Sequence, residues 1–263
     1  MNNTKTELYT SKIIKAGALI DDTKTLFANW DISQTVKLNF SRLQSQNIFG
    51  KATRSRIEDI LVVFRQRYLD DPALIDSLLL LMVKPALSQM LDRVLFYFSA
   101  KNDRLLYDAV TCFLVSKREQ GFEEITPEMM IDWINELIEN KQTITAWSEK
   151  TILRSAQELL STLRDFGLLE GVKTKRIAPF YLPVEAFAFI AFYIFQEVAS
   201  GERLIHHPEW KLFLLSERAV ERFLMEAHQL HLLEYHVAGT VTRLTFPAAN
   251  LEEYARVISQ RTY

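Results

Sequence analysis

Two stretches carry side chains that could do chemistry, and in both the chemistry is anion binding rather than bond-making. Gly50-Lys51-Ala52-Thr53-Arg54-Ser55-Arg56 lies just ahead of and inside a predicted helix start. Helix N-termini present free backbone N–H groups and a partial positive charge, which favours phosphate. Lys51, Arg54 and Arg56, with the Thr53 and Ser55 hydroxyls as donors, would form a phosphate clamp, and Arg42 adds to the same charge. Residues 37–67 hold seven bases against two acids, a net of +5. An ordinary solvated basic helix start has the same composition.

The second stretch is 141–176, with seven bases against four acids, a net of +3. It reads as helix Pro127–Glu139, a turn with Thr143, Thr145 and Trp147, helix Glu149–Phe166, then a Lys-Thr-Lys-Arg turn. That is the layout of a winged helix, whose second helix enters the major groove while the wing touches the backbone. The apolar positions Ile152, Leu159, Leu160, Leu163 and Phe166 are expected to leave Lys150, Thr151, Arg154 and Ser155 on the leading face. Lys173, Lys175 and Arg176 would form the wing. A helical bundle with a basic loop fits the same residues.

Catalytic constellations are missing. The chain has no GxxxxGK[ST], GxGxxG, GxSxG or HExxH. Its five histidines fall late, at 206, 207, 228, 231 and 236. His228, His231 and His236 could be imagined as a zinc trio, but no acidic ligand pattern completes it, and cationic histidines suit a helix end. Cys112 sits among Val110, Phe113 and Leu114 and is expected in the core. Asp21-Asp22 and Asp70-Asp71 are adjacent pairs that point apart on a helix, so they read as caps rather than an acid/base dyad. No catalytic residue, metal or cofactor is expected, and the protein is expected not to be an enzyme.

The positioning elements are mostly helical. In 263 residues there are only 7 Gly and 7 Pro, too few for the frequent turns of an all-β fold. Hydrophobic residues make up 48% and charged residues 24%, as in folded globular chains. Apolar periodicity predicts helices over 22–30, 33–46, 55–69, 72–83, 87–99, 103–120, 127–139, 149–166, 184–199, 209–214, 217–230 and 251–260. Thr126-Pro127-Glu128, Ser148-Glu149, Ser216-Glu217 and Asn250 supply start signals. One hairpin is expected with arms 232–237 and 240–246 around Ala238-Gly239, and a weaker one over 167–181. Ser148 to Leu168 and Ser216 to Leu232 repeat a cap, helix, leucine and hairpin order, a candidate internal repeat.

The fold class is therefore mainly all-α, a helical bundle with helix-turn-helix or winged-helix-like parts and one or two short β-hairpins. Two domains are expected, 1–100 with the first basic segment and 101–263 with the second. A further boundary is expected near Ser200–Gly201. The single cysteine fits a reducing compartment, the polar N-terminus does not resemble a signal peptide, and the chain is expected in the cytoplasm. The stretch 177–196 is apolar but is broken by Pro179, Pro183 and Glu185, so it is expected as a buried helix rather than a membrane span. The net charge is −2, and from 177 onward ten acids face seven bases, so any nucleic-acid contact must be local.

YTSKIIKAGALIDDTKTL at 9–26, NIFGKATRSRIEDILVVFRQRYL at 47–69, and LLSTLRDFGLLE followed by FYLPVEAFAFIAF within 159–192 occur in an order that resembles the BrxA family, small accessory proteins of bacterial BREX phage-defence systems. The resemblance implies a mainly helical protein with helix-turn-helix-like parts that binds double-stranded DNA. It would work beside a methyltransferase, a phosphatase-like protein and ATPases of the same system. It carries over no catalytic residues. The alternative expectation is a scaffold that joins BREX subunits through the acidic C-terminal part.

Overall fold

A computed structural model describes residues 8–239 and 241–261. In chain order the helices and strands are α1 (Ile13–Ala16), α2 (Ile20–Ala28), α3 (Val36–Ser45), α4 (Arg54–Tyr68), α5 (Pro72–Met82), α6 (Ser88–Lys101), α7 (Arg104–Asp108), α8 (Val115–Glu119), β1 (Glu124–Ile125), α9 (Pro127–Glu139), α10 (Glu149–Asp165), β2 (Leu169–Glu170), β3 (Lys175–Ile177), α11 (Val184–Val198), α12 (Gly201–Ile205), α13 (Glu217–Gln229), β4 (Glu234–Ala238), β5 (Val241–Thr245) and α14 (Leu251–Arg261). Short 3₁₀ turns at Pro85–Leu87 and Pro208–Phe213 and a π-helix at Ala109–Leu114 join them. The protein is mainly α-helical with two small antiparallel sheets, as expected.

The start signals operate as their chemistry requires. Thr126, Ser148 and Ser216 each accept the backbone N–H three residues on, and Asn250 accepts that of Glu253. Each bond satisfies one of the orphan donors at a helix start. The helix expected over 103–120 runs without a break from Arg104 to Glu119, but a π-helix at Ala109–Leu114 separates its α-helical parts α7 and α8. A π turn shifts the side-chain phase. Cys112 is exposed, contrary to the core position expected for it, while Val110, Phe113 and Leu114 keep the buried side.

The chain divides into two compact units, neither of them one continuous stretch: 1–18 with 99–180, and 19–98 with 181–263. The borders between the units fall at 18/19, 98/99 and 180/181.

In the first unit α9 packs on α10, and α1 lies along α10 as well. β3 is the central strand of the sheet, pairing Glu124↔Arg176 and Ile125↔Lys175 with β1, and Leu169↔Ile177 and Glu170↔Arg176 with β2. β1 comes from a distant part of the chain and turns the weak hairpin into a three-stranded sheet. Gly171 opens its turn at φ 92°, and a Cβ there would stand 2.1 Å from the Thr174 carbonyl oxygen, so only glycine fits.

In the second unit α5 packs chiefly on α14, and α2 also meets α5. α11 is buried along Ala186–Phe192 and packs on α12, α13 and α14, as expected of this apolar stretch, while Gln196 and Glu197 near its C-terminal end are exposed. Phe187 stacks on Trp210 and Phe223, with ring centroids 4.7 and 4.9 Å away. Ser200 caps α12, which starts at Gly201. A Cβ on Gly201 would come within 2.7 Å of the Thr242 side chain, so glycine lets α12 close on β5. The late hairpin pairs Ala238↔Val241, which puts Gly239 in its loop; Thr240, expected to begin the second arm, lies outside the described residues.

Among the described residues, no single helix is long and apolar enough to cross a membrane. α5 and the segment Pro85–Lys101 reach that length only together and are bent by 117°.

Candidate nucleic-acid interface

The two basic clusters lie in different units and have different surroundings. In the second unit, Thr53, read in the sequence as a phosphate donor, caps α4 by accepting the Arg56 N–H at 3.3 Å. The cations around it are largely engaged within the protein. Lys51 Nζ lies 2.9 Å from Asp22 Oδ1, and Arg54 Nε lies 3.1 Å from Glu58 Oε1, which also accepts from Gln44. Arg42 donates to the Asn29 carbonyl at 2.6 Å and to Asn39 Oδ1 at 2.9 Å, tying α3 to the end of α2. Ser55 is exposed and Arg56 half-buried. The cationic excess counted along the chain is thus partly offset by carboxylates and backbone oxygens that count did not place beside it. Exposed pairs such as Arg54–Glu58 hold weakly, whereas Arg42 is committed to its own fold.

In the first unit the elements run α7, α8, β1, α9, α10, β2, β3. α10 contacts β2, so the helix and the basic hairpin are neighbours in one small sheet-and-helix unit. Lys150, Arg154 and Gln157 are exposed and Ser161 half-exposed, at spacings of four, three and four residues, which is one face of a helix. The opposite face buries Ser155, Ala156, Leu159, Leu160, Thr162 and Leu163. Thr151 is half-buried and its N–H bonds the Ser148 hydroxyl.

Ser155 is a correction. It was expected on the leading face, but it is fully buried and its hydroxyl has no hydrogen-bond partner. The reason is arithmetic: it lies four residues before Leu159, on the same stripe. Ser155→Ala is therefore expected to leave melting temperature unchanged or to raise it, by up to about 1 kcal/mol of stability, because an unpaired buried hydroxyl is costly. A thermal melt checks this, and a loss above about 1 kcal/mol would contradict the assignment.

On the hairpin, Lys173 is exposed at the turn, Lys175 donates to the Val172 carbonyl at 3.2 Å, and Arg176 is 3.0 Å from Glu124 Oε1. Arg176 is therefore half-neutralised by the strand paired beside it. Lys150, Arg154 and Lys173 have no carboxylate partner among the described residues. Gln157, Ser161 and Thr174 complete the polar surface and were not singled out in the sequence. Counting three and then seven residues on from Arg154 would have found the first two.

The histidines do not converge. His228 Nδ1 accepts the Tyr235 N–H at 3.3 Å, and its ring centroid is 5.3 Å from that of His236. His206 pairs with Glu217 at 2.9 Å, and that hydrogen bond raises its pKa above the usual imidazole value. Among the described residues, no group of three His, Cys, Asp or Glu side chains is placed to hold a metal ion.

The family model for BrxA matches residues 7–193 of this chain. No curated protein matches it.

Proposed function

The chain belongs to the BrxA family, which ties it to BREX phage defence, and from that premise we propose that it is a non-enzymatic component that grips the phosphate backbone of double-stranded DNA. The observation that carries this reading is that one unit holds both the exposed cationic face of α10 and a basic hairpin whose strand β2 contacts α10. A helix following a short turn, backed by a three-stranded sheet with a cationic loop, has the order of a winged helix. Lys150, Arg154, Lys173 and Lys175 would meet phosphates, with Gln157 and Thr174 as neutral donors. Lysine recognises phosphate as a point charge and carries little base information, so sequence preference would be slight.

The reading makes the first basic cluster secondary. Lys51→Ala, Arg54→Ala and Arg56→Ala combined are expected to change duplex affinity by no more than about twofold, since two of the three charges already have carboxylate partners. A mobility-shift titration on a short duplex tests both clusters side by side. If this triple variant loses binding while the α10 and hairpin variant keeps it, the interface is assigned to the wrong unit.

A scaffold role has one feature in its favour. The late hairpin exposes Val237 and Val241 near its tip with no lysine beside them, whereas the earlier hairpin sets its exposed Val172 next to Lys173. Co-purification of other BREX subunits that survives nuclease treatment and needs residues 177–263 would support that role.

A further inference from the structure

The first unit holds a polar cavity of about 200 Å³ that neither α10 nor the basic hairpin lines. Its polar walls are Thr10, Lys12, Lys101, Asn102, Asp103 and Arg104, three bases against one acid. The single carboxylate is partly spoken for, because Asp103 Oδ1 accepts the N–H groups of Leu105 and Leu106. Arg104 is held rigidly: its guanidinium lies 4.3 Å above the Tyr9 ring, and its Nε is 3.4 Å from Asp108 Oδ2. Tyr9 donates to the same oxygen at 2.6 Å, and its backbone N–H bonds the Gln142 carbonyl, so the stacking platform is itself fixed. Lys12 is exposed and has no carboxylate partner among the described residues.

A recess of this composition suits neither an apolar ligand nor a cation. Its volume is below that of pockets for drug-sized molecules. Preset cations beside neutral hydroxyl and amide donors match a compact oxyanion, and stacking lets arginine keep a fixed orientation as it donates. We propose that this cavity binds a phosphate group, held by Lys12 and Lys101, with Arg104, whose charge is shared with Asp108, and the neutral donors Thr10 and Asn102 around it. The phosphate belongs either to a small phosphorylated molecule or to a nucleic-acid backbone.

The test is calorimetric titration of the full chain with inorganic phosphate, in chloride buffer at constant ionic strength. Saturable one-site binding is expected, weakened about tenfold by Lys12→Ala and further by Lys12→Ala with Lys101→Ala, since each removes a charged hydrogen bond. Lys12→Gln, which keeps the chain length, repeats the result should truncation disturb folding. The variant lacking Lys150, Arg154, Lys173 and Lys175 is expected to bind phosphate normally, which separates this site from the α10 surface. A short duplex then identifies the source. If it displaces phosphate and Lys12→Ala weakens duplex binding, the ligand is a backbone phosphate. If duplex binding is unchanged while phosphate binding falls, the ligand is a small phosphorylated molecule. Equal phosphate binding by wild type and the double variant, or no saturation by about 10 mM, overturns the proposal.

Discussion

Changing Lys150, Arg154, Lys173 and Lys175 together to alanine is expected to weaken binding to a short duplex by roughly two to three decades at low salt. Each lost phosphate contact contributes about 1 kcal/mol, below the usual range for charged hydrogen bonds because the side chains are solvated. Four such losses reach ~4 kcal/mol, and 1.4 kcal/mol is tenfold. Folding is expected to be unaffected, since Lys150, Arg154 and Lys173 are exposed and Lys175 makes only a single bond to a turn carbonyl. The effect should be the same on duplexes of unrelated sequence, because phosphate contacts carry no base information. A shift assay with a melting control measures it. A loss confined to one sequence would mean that Gln157 or Arg154 reads base edges instead.

The second large effect concerns stability. Phe187→Ala is expected to destabilise the protein by about 3–5 kcal/mol. The ring is fully buried and lies between Trp210 and Phe223, both stacked on it at interplanar angles of 22° and 19°. Its removal leaves a cavity walled by two large rigid rings that cannot easily collapse. At 2–4 °C per kcal/mol for a chain of this size, the melting temperature should fall by about 10 °C. Calorimetry checks this. A fall below about 3 °C would mean that α11 is not the centre of its unit. The same helix is the most apolar part of the stretch 177–196, so the experiment also probes its role as core.

What could be read from the sequence was whatever local chemistry controls. Thr126-Pro127-Glu128 fixes a helix start because the hydroxyl, the ring and the carboxylate all act within one turn. Helix 127–139 is accordingly matched at both ends, and the buried character of α11 followed from residues 184–198 alone. Misreadings arose where a partner lies far along the chain or where the helical period changes. Cys112 was assigned to the core on an uninterrupted α period, and the π-helix breaks that period. Asp22 neutralises Lys51 from 29 residues away, and Glu124 meets Arg176 from 52 away, distances no charge window spans. β1 was invisible because two residues carry no periodicity; only pairing with β3 makes them a strand. Ser155 is a different kind of miss, since its place on the Leu159 stripe was available from spacing alone.

The two basic clusters show what a count of charge leaves out. Both have a net positive charge along the chain, yet one is knitted to Asp22, Glu58 and backbone oxygens while the other leaves Lys150, Arg154 and Lys173 to solvent. The unpaired set is the one beside a short sheet with a lysine-bearing turn. That difference, rather than total charge, is the basis for placing the duplex on α10.

The most direct measurement is the salt dependence of wild-type affinity for a short duplex. Four backbone contacts predict that log K falls linearly with log salt with a slope of about −3 to −4, and that alanine at Lys150, Arg154, Lys173 and Lys175 nearly flattens the line. An affinity independent of salt, or a slope that the four substitutions leave unchanged, would contradict the account.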